Sequence, residues 1–114
     1  MTDREMLELA AKAAGVEIEW RRSAGAYYYD DPETGREEWR PLDDDGQALR
    51  LAVKLCIDVS HDAIGMKSFV YARTVFNDET HIGLSEIFDD ESERLDRTRR
   101  AITRAAAQIG KEME

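Results

Sequence analysis

An α+β fold is predicted, with three helices and an antiparallel sheet of about five to six strands, the middle helix buried. Three observations predict it. Apolar stripes with the helical period occur near both ends of the chain and again in its middle. Between them, apolar and polar residues alternate over short runs. Those runs are punctuated by Ser23-Ala24-Gly25, by Asp31-Pro32-Glu33-Thr34-Gly35 and by Asn77-Asp78-Glu79, which read as tight hairpin turns.

The elements follow in order. Thr2-Asp3-Arg4-Glu5 is a capping box opening a helix to about Ala14, with Met6, Leu7, Ala10, Ala11 and Ala14 on its apolar face and Gly15 as its stop. Val16, Ile18 and Trp20 alternate with Glu17, Glu19 and Arg21 as a half-buried strand. Tyr27–Tyr29 and Glu37–Arg40 complete an antiparallel meander. Its letters are similar to a WW domain, which binds proline-rich peptides in an aromatic groove. The first turn is too short for that module, Pro32 stands at the usual histidine position, and Pro41 follows Trp39 one residue too soon. An aromatic hairpin explains the same residues, because strands favour aromatics.

The stretch Asp43–Val59 is read as the organising element. Asp45 is placed at the N-cap, and Gln47, Arg50 and Lys54 form one narrow polar stripe on an otherwise apolar helix, which should be covered on most sides. Ile57–His61 continues as a strand, and Asp62–Gly65 turns it. Met66–Phe76 is apolar on both faces, Phe69, Tyr71 and Val75 against Val70, Ala72 and Phe76, so it is expected at the centre of the sheet and covered on both sides. His81–Phe88 is the last strand. Asp89-Asp90 caps the final helix, which should stop at Gly110 and bury Leu95, Thr98, Ile102, Ala105, Ala106 and Ile109.

At 114 residues the chain is one domain's length, 1–114. It has no run of eighteen apolar residues and no basic-then-apolar leader after Met1, so neither a membrane span nor a secretory signal is expected. The lone Cys56 reads as a small core hydrophobe in a reducing cytosol. Asp plus Glu number 25 against 16 Lys plus Arg, a net charge of −9, which argues against direct nucleic-acid or anionic-membrane binding.

Catalytic signals are absent from the letters. His61 and His81 lack a second His or Cys at ligand spacing, and there is no phosphate loop, nucleophile elbow or metal-binding helix motif. No cofactor, no metal and no enzyme activity are expected. Asp58, His61, Asp62, Asp78 and Glu79 are the acids and histidine that a sheet edge can bring together. Two segments are candidates for binding. The acidic stretch Asp30–Asp45 holds eight acids against Arg36 and Arg40, and with Tyr27, Tyr28, Tyr29, Asp30, Asp31 and Trp39 it can face a protein partner. A solvated hairpin tip and a helix cap explain the same acids. Arg97, Arg100 and Arg104 lie on one face of the last helix and suit carboxylate or phosphate. The i,i+4 pairs Asp90–Arg94, Glu93–Arg97 and Asp96–Arg100 neutralise most of that face locally, leaving Arg104 over.

The opening MTDREMLELAAKAAGVEIEW, the middle WRPLDDDGQALRLAVKL and the closing Ala101–Gly110 together resemble a group of small bacteriophage and prophage proteins described as a phage ABA-sandwich domain. Arg40 and Gln47 depart from its usual Asn and Asp. The resemblance implies helix/sheet/helix layers and an accessory phage protein in the cytoplasm of the bacterial host. With no catalytic motif, the expected function is binding: a host-defence inhibitor that docks on a host protein through Tyr27–Tyr29, Trp39 and the acidic segment. The alternatives are an oligomer that sequesters an anionic nucleotide-derived signal through Arg and aromatic side chains, and a structural or morphogenetic phage role.

Overall fold

A computed structural model describes residues 1–62 and 68–113 and shows an α+β fold with three helices and two three-stranded antiparallel sheets. The order is α1 (Asp3–Ala14), β1 (Glu19–Arg21), β2 (Ala26–Asp31), β3 (Gly35–Glu38), α2 (Asp45–Lys54), β4 (Asp58–His61), β5 (Phe69–Phe76), β6 (Thr80–Ile87), then a single 3-10 turn (Glu91–Glu93) leading into α3 (Arg94–Glu112). Helix α3 touches α1, α2, β5 and β6. The expected turn Asp62–Gly65 and the first residues of the 66–76 strand lie largely outside the described residues.

The strands form two sheets, β1-β2-β3 and β4-β5-β6, where one was expected. Gln47 supplies the physical reason. Its amide accepts from the Arg40 N–H at 2.7 Å and donates to the Glu38 carbonyl at 2.7 Å. The end of β3 is therefore satisfied by a side chain from α2 instead of by another strand. That same role buries Gln47, which the polar-stripe reading placed outside. Helix α2 buries only Gln47, Ala48, Leu51 and Ala52, one face, while Leu49 is 64% and Val53 70% exposed. The expectation of a helix covered on most sides is corrected accordingly. Its N-cap is Asp44, whose carboxylate accepts from the Gln47 N–H, and Asp45 is the first helical residue.

Helix ends explain two further corrections. Helix α1 closes as expected on Gly15, left-handed at φ 71°, with the Val16 N–H bonded to the Ala11 carbonyl. Helix α2 closes with the same pattern, Ile57 N–H to Ala52 carbonyl and Cys56 N–H to Val53 carbonyl, but Cys56 holds the left-handed position at φ 54°. Cys56 is exposed and is no core hydrophobe. Conversely, α3 runs through Gly110 to Glu112. A Cβ at Gly110 would collide with the Leu9 backbone carbonyl, so this glycine serves close helix approach and not termination.

The final helix opens as expected, on Asp90 in a capping box with Glu93. It buries Ala101, Ile102, Ala105, Ala106 and Ile109, but Leu95 is exposed, in the first turn before the helix meets its neighbours. In the second sheet, Ala72 pairs with Val59 on one side and Leu84 on the other, so β5 is central as expected. Only one of its faces is covered. Val70, Ala72 and Thr74 are buried on the α3 side, whereas Phe69 and Val75 are exposed, because among the described residues no helix packs on the second face. In the first sheet β1 is shorter than expected: Val16 and Ile18 pack on the core from the connecting segment, and its three strand residues are exposed. No helix among the described residues is long and apolar enough to cross a membrane.

Candidate functional site

A concavity of about 640 Å³ lies between the segment 14–19, the β2–β3 hairpin and α2. Each wall has a local cause. The hairpin turn is set by Asp31, whose carboxylate accepts the Glu33 and Thr34 N–H groups at 2.8 and 3.0 Å. Those backbone donors hold the Asp31 carboxyl below its ordinary range. Trp39 forms the floor. Its indole N–H donates to the Leu7 carbonyl at 3.0 Å, and Tyr29 packs against its ring edge-to-face at 5.6 Å. The Tyr29 hydroxyl donates to Glu37 at 3.0 Å, and burial followed by that carboxylate pushes its pKa up. Thr74 donates to the Leu55 and Cys56 carbonyls, anchoring the far end of α2 to β5.

Charge in the groove is mixed. Arg36 is held between Glu19 at 3.0 Å and Asp30 at 3.1 Å, clamping all three strands together. Arg50 and Lys54, one turn apart on α2, line the groove with no carboxylate in ion-pair contact among the described residues. Glu17, Glu19, Asp30 and Asp31 line the opposite side.

A strand edge also opens into the groove. The Trp39 N–H bonds to the Tyr27 carbonyl, so odd residues of β2 bond toward β3 and even residues toward β1. The last rung of β1 is Glu19 with Tyr28. Asp30 therefore points its N–H and carbonyl toward the groove one rung beyond the end of β1.

The residues expected at a binding site divide among several places. Tyr28, Tyr29, Asp30, Asp31 and Trp39 converge on this groove, with Trp39 buried. Tyr27 is also buried, edge-on to Trp20 at 4.9 Å, which itself carries the Arg4 guanidinium at 3.8 Å. Neither Tyr27 nor Trp39 can project into a partner, which corrects the docking surface drawn from the letters and leaves the floor of a WW-like groove inside the core. Arg40 and Arg100 line a second concavity of about 300 Å³ on another side.

The arginines of α3 are occupied. Arg97 and Arg104 both bond Glu86 on β6, Arg97 at 3.4 Å, and Arg100 bonds Asp3 of α1 at 2.9 Å. Arg104, left over in the sequence reading, is thus paired across elements. Of the expected i,i+4 pairs, Glu93–Arg97 is present at 3.8 Å. Arg94 instead joins Glu91 at 2.6 Å, Asp62 at 2.9 Å and His61 Nδ1 at 3.0 Å, with Phe88 under its guanidinium at 4.8 Å. His61 and Asp62 do meet at one edge, but Asp58 pairs with Arg73, and Asp78 and Glu79 sit in the β5–β6 turn. Their role at this edge is to lock β4 and β5 to the start of α3.

Sequence reading missed Arg50 and Lys54 as site residues, together with Leu49 and Val53 on the exposed side of the same helix. The signal was present: Arg50 has Gly46, Gln47, Val53 and Lys54 at helical spacing, so no acid can pair with it along the helix. Among the described residues, no group of three His, Cys, Asp or Glu is arranged to hold a metal ion. Searches of protein-family models, curated proteins and solved structures return no match to this chain.

Proposed function

We propose that the protein acts by binding a polypeptide partner in the groove between the aromatic meander and α2. The observation that carries this reading is the combination of an unpaired strand edge at Asp30, the half-buried Tyr28 and Tyr29, and charges of both signs in one open concavity. Main-chain edges, tyrosines and a charged rim are what extended peptides and protein loops engage. The ridge Leu49–Val53 continues that surface along α2 with apolar area the fold leaves unused. A nucleotide-derived anion is the poorer fit. The arginines of α3 are consumed by Glu86, Glu93 and Asp3, and four carboxylates line the groove against three cations. The resemblance to small phage proteins supplies the context of the proposal, a non-catalytic inhibitor of a host defence in the bacterial cytoplasm.

The test is native mass spectrometry of the protein purified from a defended bacterial host, beside the variant Tyr28→Ala with Val53→Glu. The expected result is a host polypeptide retained by the parent chain and lost from the variant, with both equally folded by circular dichroism. Retention by both, or a small anion in place of a polypeptide, contradicts the reading.

A further inference from the structure

We propose that the open face of the β4-β5-β6 sheet is a self-association surface, on which a second copy of this chain packs about a two-fold axis running across the strands. Helix α3 covers the other face, where Val70, Ala72 and Ile82 are buried. On the open face Phe69 is 41%, Val75 54% and Ile87 66% exposed. The register sets Phe69 beside Ile87 at one end and Val75 beside His81 at the other, with Tyr71 and Arg73 between them on β5. A concavity of about 660 Å³ opens on this face, lined by Tyr71, Arg73, Val75, His81 and Gly83. Tyr71 lies across Gly83, where a Cβ would collide with the tyrosine ring and hydroxyl, so the ring is laid along the sheet. Sheet faces pack on one another at about 10 Å.

Two features point to a second copy as the occupant. The first is charge. The chain carries −9, yet Asp58 and Arg73 are the charged side chains on this face among the described residues and pair at 3.6 Å. Copies of a strongly acidic protein meet least repulsion here, and a basic partner finds no acidic field to follow. The second is self-complementarity. A two-fold crossing β5 near Ala72 lays Phe69 of one copy over Val75 of the other and Arg73 over the flattened Tyr71 ring, a cation–π contact. Strand rise and spacing give β5 and β6 a length of about 27 Å, with the four-residue β4 flanking half of it, a projected footprint of about 320 Å². With side-chain relief this approaches about 500 Å² per copy, below the standard size for a specific interface, so the dimer is a weak one.

Sedimentation velocity over a range from about 1 to 100 μM tests this. The parent chain is expected to shift from its 13.0 kDa monomer toward twice that mass as concentration rises. Val75→Glu with Ile87→Glu is expected to stay monomeric throughout, with unchanged circular dichroism, and Phe69→Lys alone to do the same from the other end of the face. Leu49→Glu with Val53→Glu, on α2, is expected to dimerise like the parent. A parent chain that remains monomeric across the range, or folded sheet-face variants that associate as the parent does, overturns the proposal.

Discussion

Of helices α2 and α3, the first is the more uniformly apolar and the second the more heavily charged, yet α3 is the one that touches α1, α2 and both long strands. The difference lies in side-chain size and in where the charges find partners. Helix α3 presents Ala101, Ala105, Ala106 and Gly110, small enough for α1 to approach until Gly110 meets the Leu9 backbone. Close approach multiplies dispersion contacts that larger residues would forfeit by standing off. Its arginines reach Asp3, Asp45, Asp62 and Glu86 on other elements and stay half-buried along their stems. Helix α2 has larger apolar residues but only one packed face, so Leu49, Arg50, Val53 and Lys54 are left to solvent or to a partner. A count of apolar letters does not rank helices by burial; the size of residues at helical spacing does better.

Perturbations of the two helices should separate them. The largest effect is expected from Gly110→Val, which drives a branched side chain into the Leu9 carbonyl and should cost about 3 kcal/mol, read by thermal or urea unfolding. A loss under about 1 kcal/mol would mean that α1 and α3 part easily. Gln47→Ala comes next. It strands the Arg40 N–H and the Glu38 carbonyl, and about 2 kcal/mol of stability should go with them. Cys56→Gly should act in the opposite direction, raising stability by up to about 1 kcal/mol by relieving a left-handed non-glycine residue. Leu49→Gln with Val53→Gln, on the outer face of α2, should change stability by less than about 0.5 kcal/mol.

Acid provides a further contrast, because the start of α3 is locked by carboxylates. Burial works against the ionised form of Asp62, but its bond to Arg94 and the Phe69 backbone bring its pKa below the ordinary value of 3.8. Asp90 is likewise held low by the Ser92 N–H. A lowered folded pKa contributes stability that is fully present above the unfolded value and lost as pH falls through the folded one. The melting temperature should therefore hold from neutrality to about pH 5 and fall below about pH 4. Asp62→Asn should start lower at neutral pH and fall less steeply in acid.

Much of the fold was legible because caps and turns are local chemistry. Thr2 as an N-cap, Gly15, Asp31 and Asp90 with Glu93 each do what their letters suggest, although Glu5 accepts from the Thr2 hydroxyl and so does not complete the expected capping box. What was not legible depends on residues distant in sequence. Nothing near Gln47 says that its amide will close a strand end, nor near Gly110 that Leu9 will press against it. The same holds for the site. Tyr28, Tyr29, Asp30 and Asp31, singled out by their density of aromatics and acids, line one groove. Tyr27 and Trp39 were drawn outward because the letters do not show that α1 covers them, and Arg97, Arg100 and Arg104 because their partners lie on β6 and α1.

Native-state hydrogen exchange tests the contrast between the two helices most directly, since it reads the opening free energy of each amide in the unmodified chain. The expected result is that Ala101–Ile109 of α3 and Val70–Thr74 of β5 exchange slowest, at the global unfolding free energy, while Leu51–Lys54 of α2 exchange through a cheaper local opening. Amides of α2 as slow as those of α3 would contradict it, and would return α2 to the centre of the fold.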